Sequence, residues 1–492
     1  MEKVVIVGAG PCGLLLAHYL LRRGDRYQVE IYERLGDPRT VALSNSRSIP
    51  YSLNERGIGA LRPIDGLEEA IRAGGLENWK IIHHQPDGTT QLLPPRQQST
   101  IDTDRIRLVN KLLSSLVAMA EGSSRLKLHF NYKCLSVDFP RQTILFESVA
   151  PDTPAELISS PVEYLHFGSN KAEPTPNPSQ EGNRRQEAGG KEESCKVEGD
   201  DNCLGGDDLK PVLVGYDRLV GADGARSSVR SQFLKTQSFD FQQTRARSYY
   251  KTLFFPSKND ETGYELQPEG FHVWKREEGI TLVAGFQASG GYIGVVFVTR
   301  NRQKILNFQS VAQVQEFFRQ YFPEVSPLLS AAEAEAFMKR TISSQMKVRC
   351  SRYHHEDRVL LIGDAAHAVA SSFSGQGCNA ALEDAQIFAR ILDESEDNWE
   401  VALAKFTEQR QPEAHALWEM DGNILPISKR LFTEFILRER WAKIAHRWFP
   451  HWFAPPLREL LNSNTPYTEI LKQYRSWVKK VTVSNLKLGG RW

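Results

Sequence analysis

The sequence predicts an α/β fold: a strand–helix–strand unit at the N-terminus, an inserted and mostly antiparallel β-sheet, and a helical C-terminal region. Three patterns predict it. Lys3 to Val7 (KVVIV) is an apolar, β-branched run leading into the turn Gly8-Ala9-Gly10-Pro11-Cys12-Gly13, as in a parallel strand buried on both faces. Between about residues 247 and 300, the runs FHVWK, ITLVAGF and YIGVVFV are parted by glycine and charge, the pattern of successive antiparallel strands. From Ala380 onward the spacing is that of long amphipathic helices, rich in Trp and Phe near the end.

Taken in order, Leu14 to Arg23 reads as helix and Gln28 to Glu33 as a second strand, completing a βαβ unit. Gly168 to Lys210 is dense in Gly, Pro, Ser, Asn and charge. It buries too little apolar surface to offset its ordering entropy and is expected to be a disordered insertion, with Cys195 and Cys203 incidental to it. Leu213 to Val220 resumes a strand, Val311 to Tyr321 and Ala331 to Lys339 read as helices, and Arg358 to Ile362 as another buried strand. The expected division is a nucleotide-binding domain over 1–75, 101–235 and 345–392, a substrate-binding β-sheet domain over 76–100 and 236–344, and a helical region over 393–492.

The chain has 492 residues, more than one compact core accommodates, so two or three domains are expected. Lys and Arg number 61 against 60 Asp and Glu, a balance that argues against a nucleic-acid coat. Six cysteines form no CxxC pair, which disfavours a zinc ribbon or disulfide scaffold and fits a reducing compartment; no metal site is expected. Val4 to Leu21 is apolar enough to resemble a signal peptide, but Gly8, Gly10 and Gly13 interrupt it and no cleavage site follows. The expected location is the cytoplasm.

Three glycine-bearing turns carry the chemistry. In the first, Gly8 allows the tight turn, Gly10 the approach of a pyrophosphate and Gly13 close helix–strand packing, while Glu33 ends the second strand in position to accept from a ribose. This pattern predicts dinucleotide binding without separating NAD from FAD. In the second and third, Tyr216 to Arg230 (YDRLVGADGARSSVR) and Arg358 to Ala368 (RVLLIGDAAHA), a buried strand ends in Gly and Asp and small residues open a helix. Small residues there admit a flat cofactor.

These three turns in order, followed by Gly375-Gln376-Gly377-Cys378-Asn379, resemble the FAD-dependent aromatic hydroxylases, the group A flavoprotein monooxygenases. Within that group the chain most resembles the kynurenine-hydroxylating branch, through Ser46-Arg47-Ser48-Ile49, Phe239-Asp240-Phe241-Gln242-Gln243, Phe271-His272-Val273-Trp274, Gln320-Tyr321-Phe322-Pro323 and Val348-Arg349-Cys350-Ser351. The resemblance implies an FAD-binding Rossmann-like (GR2-type) domain and an NAD(P)H- and O2-dependent hydroxylation of a small aromatic molecule, with NADPH or NADH as co-substrate. It implies that Gly8, Gly10, Cys12 and Gly13 hold the pyrophosphate, with Glu33 and Arg34 near the adenosine ribose. Arg47, Ser52, Arg105, Asp223 and Ser228 match further FAD-contacting positions, and Asp364 the ribityl–pyrophosphate region. Gly377, Cys378 and Asn379 would offer backbone N–H groups to the flavin from a helix N-terminus. His367 belongs to the cofactor turn and is expected to be structural. No residue need act as a nucleophile, because the cofactor carries the difficult step.

For the substrate, the resemblance places the carboxylate-binding arginine of the family at Lys80, which lacks the bidentate fork. It places an asparagine-bearing segment at Gly422-Asn423-Ile424, making Asn423 a substrate-binding candidate. The aromatic tail, Trp441, Trp448, Phe449, Trp452 and Phe453 among basic residues, is open to two readings: weak contact with a membrane surface, or packing on the body of the protein, which is favoured. Two competing functions stay open: another flavin enzyme (oxidase, reductase or halogenase) and a non-catalytic FAD-binding protein.

Overall fold

The structure, a computed structural model, describes residues 1–40, 49–78, 80–92, 99–150, 211–276, 279–288, 290–299, 304–370 and 375–487. The expected disordered insertion lies outside the described residues.

A six-stranded sheet forms the first layer. Its order is His354–His355, Val359–Leu361, Arg218–Gly221, Glu2–Val7, Tyr27–Glu33, Leu126–Phe130. Every neighbouring pair is parallel except the edge pair His354–His355 with Val359–Leu361. The apolar run at the N-terminus is central because both of its faces are covered, with Val4, Val5 and Ile6 fully buried. The Pro11–Leu21 helix is buried from Cys12 to Leu21 and packs against the Gln376–Glu394 helix. Pro11 at its first turn costs no hydrogen bond, since that N–H would be unpaired anyway.

The predicted strand Leu213 to Val220 is two strands. Val212–Gly215 joins a three-stranded antiparallel sheet beside Thr143–Ser148, while Arg218–Gly221 joins the parallel sheet. The break falls at Tyr216-Asp217. There the Tyr216 N–H donates to the Gln142 carbonyl, and the Asp217 carboxylate accepts the Lys3 N–H at 2.7 Å. Periodicity alone misses such a crossing, because both halves are equally apolar.

The second large sheet has seven strands in the order Ser343–Cys350, Phe241–Phe255, Tyr292–Thr299, Ile280–Phe286, Phe271–Lys275, Ile81–His84, Thr90–Leu92. All its pairs are antiparallel except Phe271–Lys275 with Ile81–His84. One face buries Leu253, Trp274, Leu282, Val296 and Val298 against the Val311–Tyr321 and Ala331–Lys339 helices, which form where the sequence predicts them. The other face is turned to a cleft.

The C-terminal region is helical, with long helices Trp399–Met420, Lys429–Trp448 and Tyr467–Lys487 and a short Leu457–Asn462. The aromatic tail does not pack on the body as favoured: Trp441 is 60% exposed, Trp448 73% and Trp452 85%. These rings sit on the outer side of Lys429–Trp448 and beyond its end, where none of the described residues covers them. Among the described residues, no helix is long and apolar enough to cross a membrane.

Candidate functional site

A cleft of about 2250 Å³ runs between the C-terminal edge of the parallel sheet, the open face of the seven-stranded sheet and the C-terminal helices. Its walls include the three glycine-bearing turns, which lie far apart in sequence. The crevice at the carboxyl ends of parallel strands is where open α/β sheets bind ligands.

At the first turn, Gly8 has φ +107° and its N–H donates to the Tyr32 carbonyl at 2.8 Å. A Cβ on Gly8 would collide with the Ala222 backbone, and one on Gly13 with the Gly8 carbonyl oxygen. A Cβ on Gly10 would meet nothing within 4 Å. The first and third glycines are therefore required by the protein's own packing, whereas Gly10 faces the open cleft. Glu33 accepts the Ala9 N–H at 2.9 Å and the Leu35 N–H at 3.0 Å, fixing the strand end against the turn; Glu33 and Arg34 both line the cleft.

At the second turn, Asp223 accepts the Ser228 N–H at 2.6 Å through Oδ2, while its Oδ1 is buried without a partner. Burial raises the Asp223 carboxyl above its ordinary pKa. At the third, Gly363 takes φ +61° and delivers Asp364 to the cleft, where burial likewise raises its carboxyl. Beneath it, Asp384 accepts the Gly363 N–H at 2.9 Å and bonds His367 Nε2 at 2.6 Å and Arg410 Nε. Burial pushes Asp384 up, but His367 and Arg410 more than offset it and hold the carboxyl below its ordinary value. His367 is buried and does not line the cleft, in keeping with a structural part.

Gly375 (φ +62°), Gly377 and Cys378 bring the N-terminus of Gln376–Glu394 to the cleft. The Asn379 side chain points away from it. Its oxygen accepts the Asn54 N–H at 3.0 Å, and its amide donates to the carbonyls of Ser52 at 3.0 Å and Gly375 at 2.8 Å. Ser52 lines the cleft and donates its hydroxyl to Asp102 at 2.6 Å. Cys12 and Cys378 line it as free thiols, both raised by burial. Among the described residues, the Arg105 guanidinium, which lines the cleft near Tyr51, Glu33, Tyr250 and Asp364, has no hydrogen bond or ion pair. Arg47 lies outside the described residues.

Lys80 and Asn423 are not among the residues lining the cleft. Lys80 pairs with Glu269 at the surface, and Asn423 donates to the Glu419 carbonyl at 2.9 Å while Ile424 and Leu425 line the cleft in its place.

Several lining or supporting residues carry no local sequence signal. Arg56 is buried, pairs with Glu383 at 2.5 Å and donates to the carbonyls of Ser463 at 3.0 Å and Thr465 at 2.6 Å. Tyr51, Arg245 and Lys275 also line the cleft. Asn54 could have been found: it precedes a helix and caps it by accepting the Arg56 and Gly57 N–H groups.

These residues fit FAD. An open glycine backbone and an unpaired guanidinium suit a pyrophosphate, an unpartnered buried carboxyl oxygen suits a hydroxyl donor, and a helix N-terminus suits an electron-rich ring.

Comparison with known proteins agrees. Residues 215–421 match the family described as FAD binding domain, and residues 6–59 an NAD(P)-binding Rossmann-like domain. The chain is 27% identical to kynurenine 3-monooxygenase of Neurospora crassa, over 96% of this chain and 88% of that protein. It is 25% identical to the enzyme of that name from Sus scrofa, over 97% and 88%. Among solved structures, the tetrameric form of 2-methyl-3-hydroxypyridine-5-carboxylic acid oxygenase shares the fold with a TM-score of 0.63 at 14% identity, covering 95% of this chain and 97% of that one. P. aeruginosa PqsL in complex with 2-aminobenzoylacetate has a TM-score of 0.57 at 18% identity, over 86% and 95%.

Proposed function

We propose that kynurenine or a close aromatic relative is the substrate of this chain, an FAD-dependent monooxygenase that uses NAD(P)H and O2 to hydroxylate an aromatic ring. The observation that carries this reading is the continuity of the cleft, in which the three cofactor turns open directly onto the sheet face lined by Phe271, Val273, Val295 and Phe297. An aromatic ring on that face would stand beside a ligand held at the turns.

Bound FAD, once reduced by NAD(P)H, supplies the activation of O2 and the transfer of one oxygen atom to the ring. The protein's part is placement and exclusion of water. Gly10, Arg105 and the first-turn helix would hold the pyrophosphate, Asp223 and Asp364 would accept from hydroxyls, and Gly377 with Cys378 would present N–H groups at the positive end of a long helix. Arg34, Glu33, Ser52 and Ser228 would complete the cofactor's surroundings. The helices Lys429–Trp448 and Leu457–Asn462 wall the sheet end of the cleft through Phe432, Phe435 and Leu457, which removes water from the reacting ring.

Two finer readings belong with this one. The exposed Trp441, Ile444, Trp448 and Trp452, interleaved with Lys443 and Arg447, suit weak adsorption to an anionic lipid surface. The compartment read from the free thiols Cys12, Cys134, Cys350 and Cys378 is the cytoplasm. Co-sedimentation with anionic and neutral vesicles tests the first, and fractionation of tagged protein the second.

The central test is turnover. Purified protein should bind FAD and oxidise NADPH faster with L-kynurenine present, giving a product heavier by one oxygen atom that carries label from ¹⁸O2. Absence of a hydroxylated product across kynurenine, phenols and indoles would overturn the substrate reading.

A further inference from the structure

The seven-stranded sheet turns one face to the cleft, and alternate side chains of its strands stand on that face. In the parallel pair Phe271–Lys275 with Ile81–His84, Phe271 stands opposite Ile81 and Val273 opposite His83, and all four line the cleft. Lys275, two residues beyond Val273, shares that face and lines the cleft as well. Lys80 pairs with Glu269 and does not line the cleft. On this strand pair, Lys275 and Arg276 are the cations that line it.

Of the two, one is fully engaged. Arg276 forms a bidentate pair with Glu324 at 2.9 and 3.0 Å and donates to the carbonyls of Tyr321 at 2.7 Å and His84 at 2.9 Å. Lys275 has no ion pair or hydrogen bond among the described residues, and its ammonium lies 5.2 Å from the Phe432 ring centroid. The helical region adds Lys429, Arg440 and Lys443 from one helix and Arg458 from another to the same end of the cleft. Burial, then Arg458 and Lys275, hold His83 below its ordinary pKa, so the three groups lie within electrostatic reach of one another.

Among the described residues, two carboxyls at this end, Glu439 and Glu459, line the cleft. Glu439 is occupied by the N–H groups of Leu457 at 3.0 Å and Arg458 at 3.4 Å, and Glu459 keeps one buried oxygen without a partner. Burial raises both above the ordinary carboxyl range, which weakens their negative charge. Cations dominate this end, and the floor beside them is apolar.

We propose that Lys275, together with Arg458, binds an anionic group of the aromatic substrate while the ring rests on the sheet face, which makes the substrate class an aromatic acid. The inference rests on the reading that this cleft hydroxylates an aromatic molecule, and it names the group that orients it. A salt-bridged hydrogen bond in a partly desolvated pocket contributes more than a neutral one, and its loss is read directly in affinity.

The test uses FAD-loaded protein and titrates L-kynurenine against kynuramine, which keeps the ring and amine but lacks the carboxylate, following the change in flavin absorbance. Lys275→Met should raise the Kd of kynurenine about tenfold or more while leaving that of kynuramine and the FAD content unchanged. Lys80→Met should change neither. Equal weakening of both ligands by Lys275→Met, no weakening of either, or the selective loss appearing in Lys80→Met would overturn the proposal. Should kynurenine not bind the wild type, the kynurenine reading falls, and the same contrast is made with anthranilate against aniline. If no aromatic acid binds better than its uncharged counterpart, the proposal falls, whatever the oxygenase activity on other ligands.

Discussion

His367 and Asp384 face each other inside the protein, Nε2 to Oδ2 at 2.6 Å, and the same carboxylate oxygen holds the Gly363 N–H. The residue before the cofactor-facing Asp364 is thus tied to two long helices through one buried charge. Asp384→Asn keeps the shape but leaves Arg410, itself buried, short of a counter-charge. Breaking such a pair costs on the order of 3 kcal/mol. The variant is expected to unfold at lower denaturant and to bind FAD more weakly; wild-type values in both measurements would contradict the tie.

The glycines of the first turn separate two effects. Gly13→Ala meets the Gly8 carbonyl and should lower the melting temperature of the apoprotein, whereas Gly10→Ala meets only open cleft. Gly10→Ala is expected to leave the apoprotein's melting temperature unchanged and to weaken FAD about tenfold, a loss of roughly 1.4 kcal/mol. Thermal melts without cofactor and fluorescence titration with it distinguish the two.

Among the described residues, the Arg105 guanidinium has no hydrogen bond or ion pair, and only the more distant charges of Glu33 and Asp364 act on it in the cleft. Arg105→Met should therefore spare apoprotein stability and raise the Kd for FAD by about tenfold to a hundredfold, as for hydrogen bonds to charged groups. High salt should weaken FAD binding to the wild type and so narrow its difference from the variant, since screening weakens the same attraction. An unchanged FAD titration would remove Arg105 from the cofactor's surroundings.

Acid should destabilise the fold through its buried histidines. Burial holds His18 at about 4 against an ordinary 6.5, and His272 at about 4 for the same reason. Between those values the unfolded chain takes up protons that the folded chain refuses. Stability is therefore full above about pH 6.5 and is lost as pH falls toward 4, by about 3 kcal/mol for each group. His18→Gln, which can still donate to the Leu112 carbonyl, should flatten the decline in denaturant midpoint between pH 7 and 4.5.

Much of the cofactor half was legible in the chain, because its requirements are local. A tight turn needs glycine, a doubly buried strand needs a continuous apolar run, and three such turns in order are difficult to produce otherwise. What escaped was set by tertiary contact. Asp384 and Arg410 lie on different helices and read singly as charges on solvated faces, yet each is buried through the other. Register with the family places Lys80 at the substrate, but its side chain pairs with Glu269 at the surface instead. The composition of the aromatic tail suits a membrane surface as well as packing on the body, and only the structure shows that the described residues leave Trp441, Trp448 and Trp452 largely uncovered.

Arg56 extends these long-range ties to the end of the chain. Its guanidinium sits in the N-terminal unit, yet the carbonyls it binds belong to Ser463 and Thr465, 407 and 409 residues later. At ribosomal rates of about 5–20 residues per second, about 20 to 80 seconds separate the synthesis of the donor from that of its acceptors. Through that interval the Arg56 guanidinium, paired with Glu383, still lacks two of its acceptors. Closure of this side of the cleft accordingly waits on the synthesis of residues 463–465, and products truncated before them should be found without cofactor and open to proteolysis.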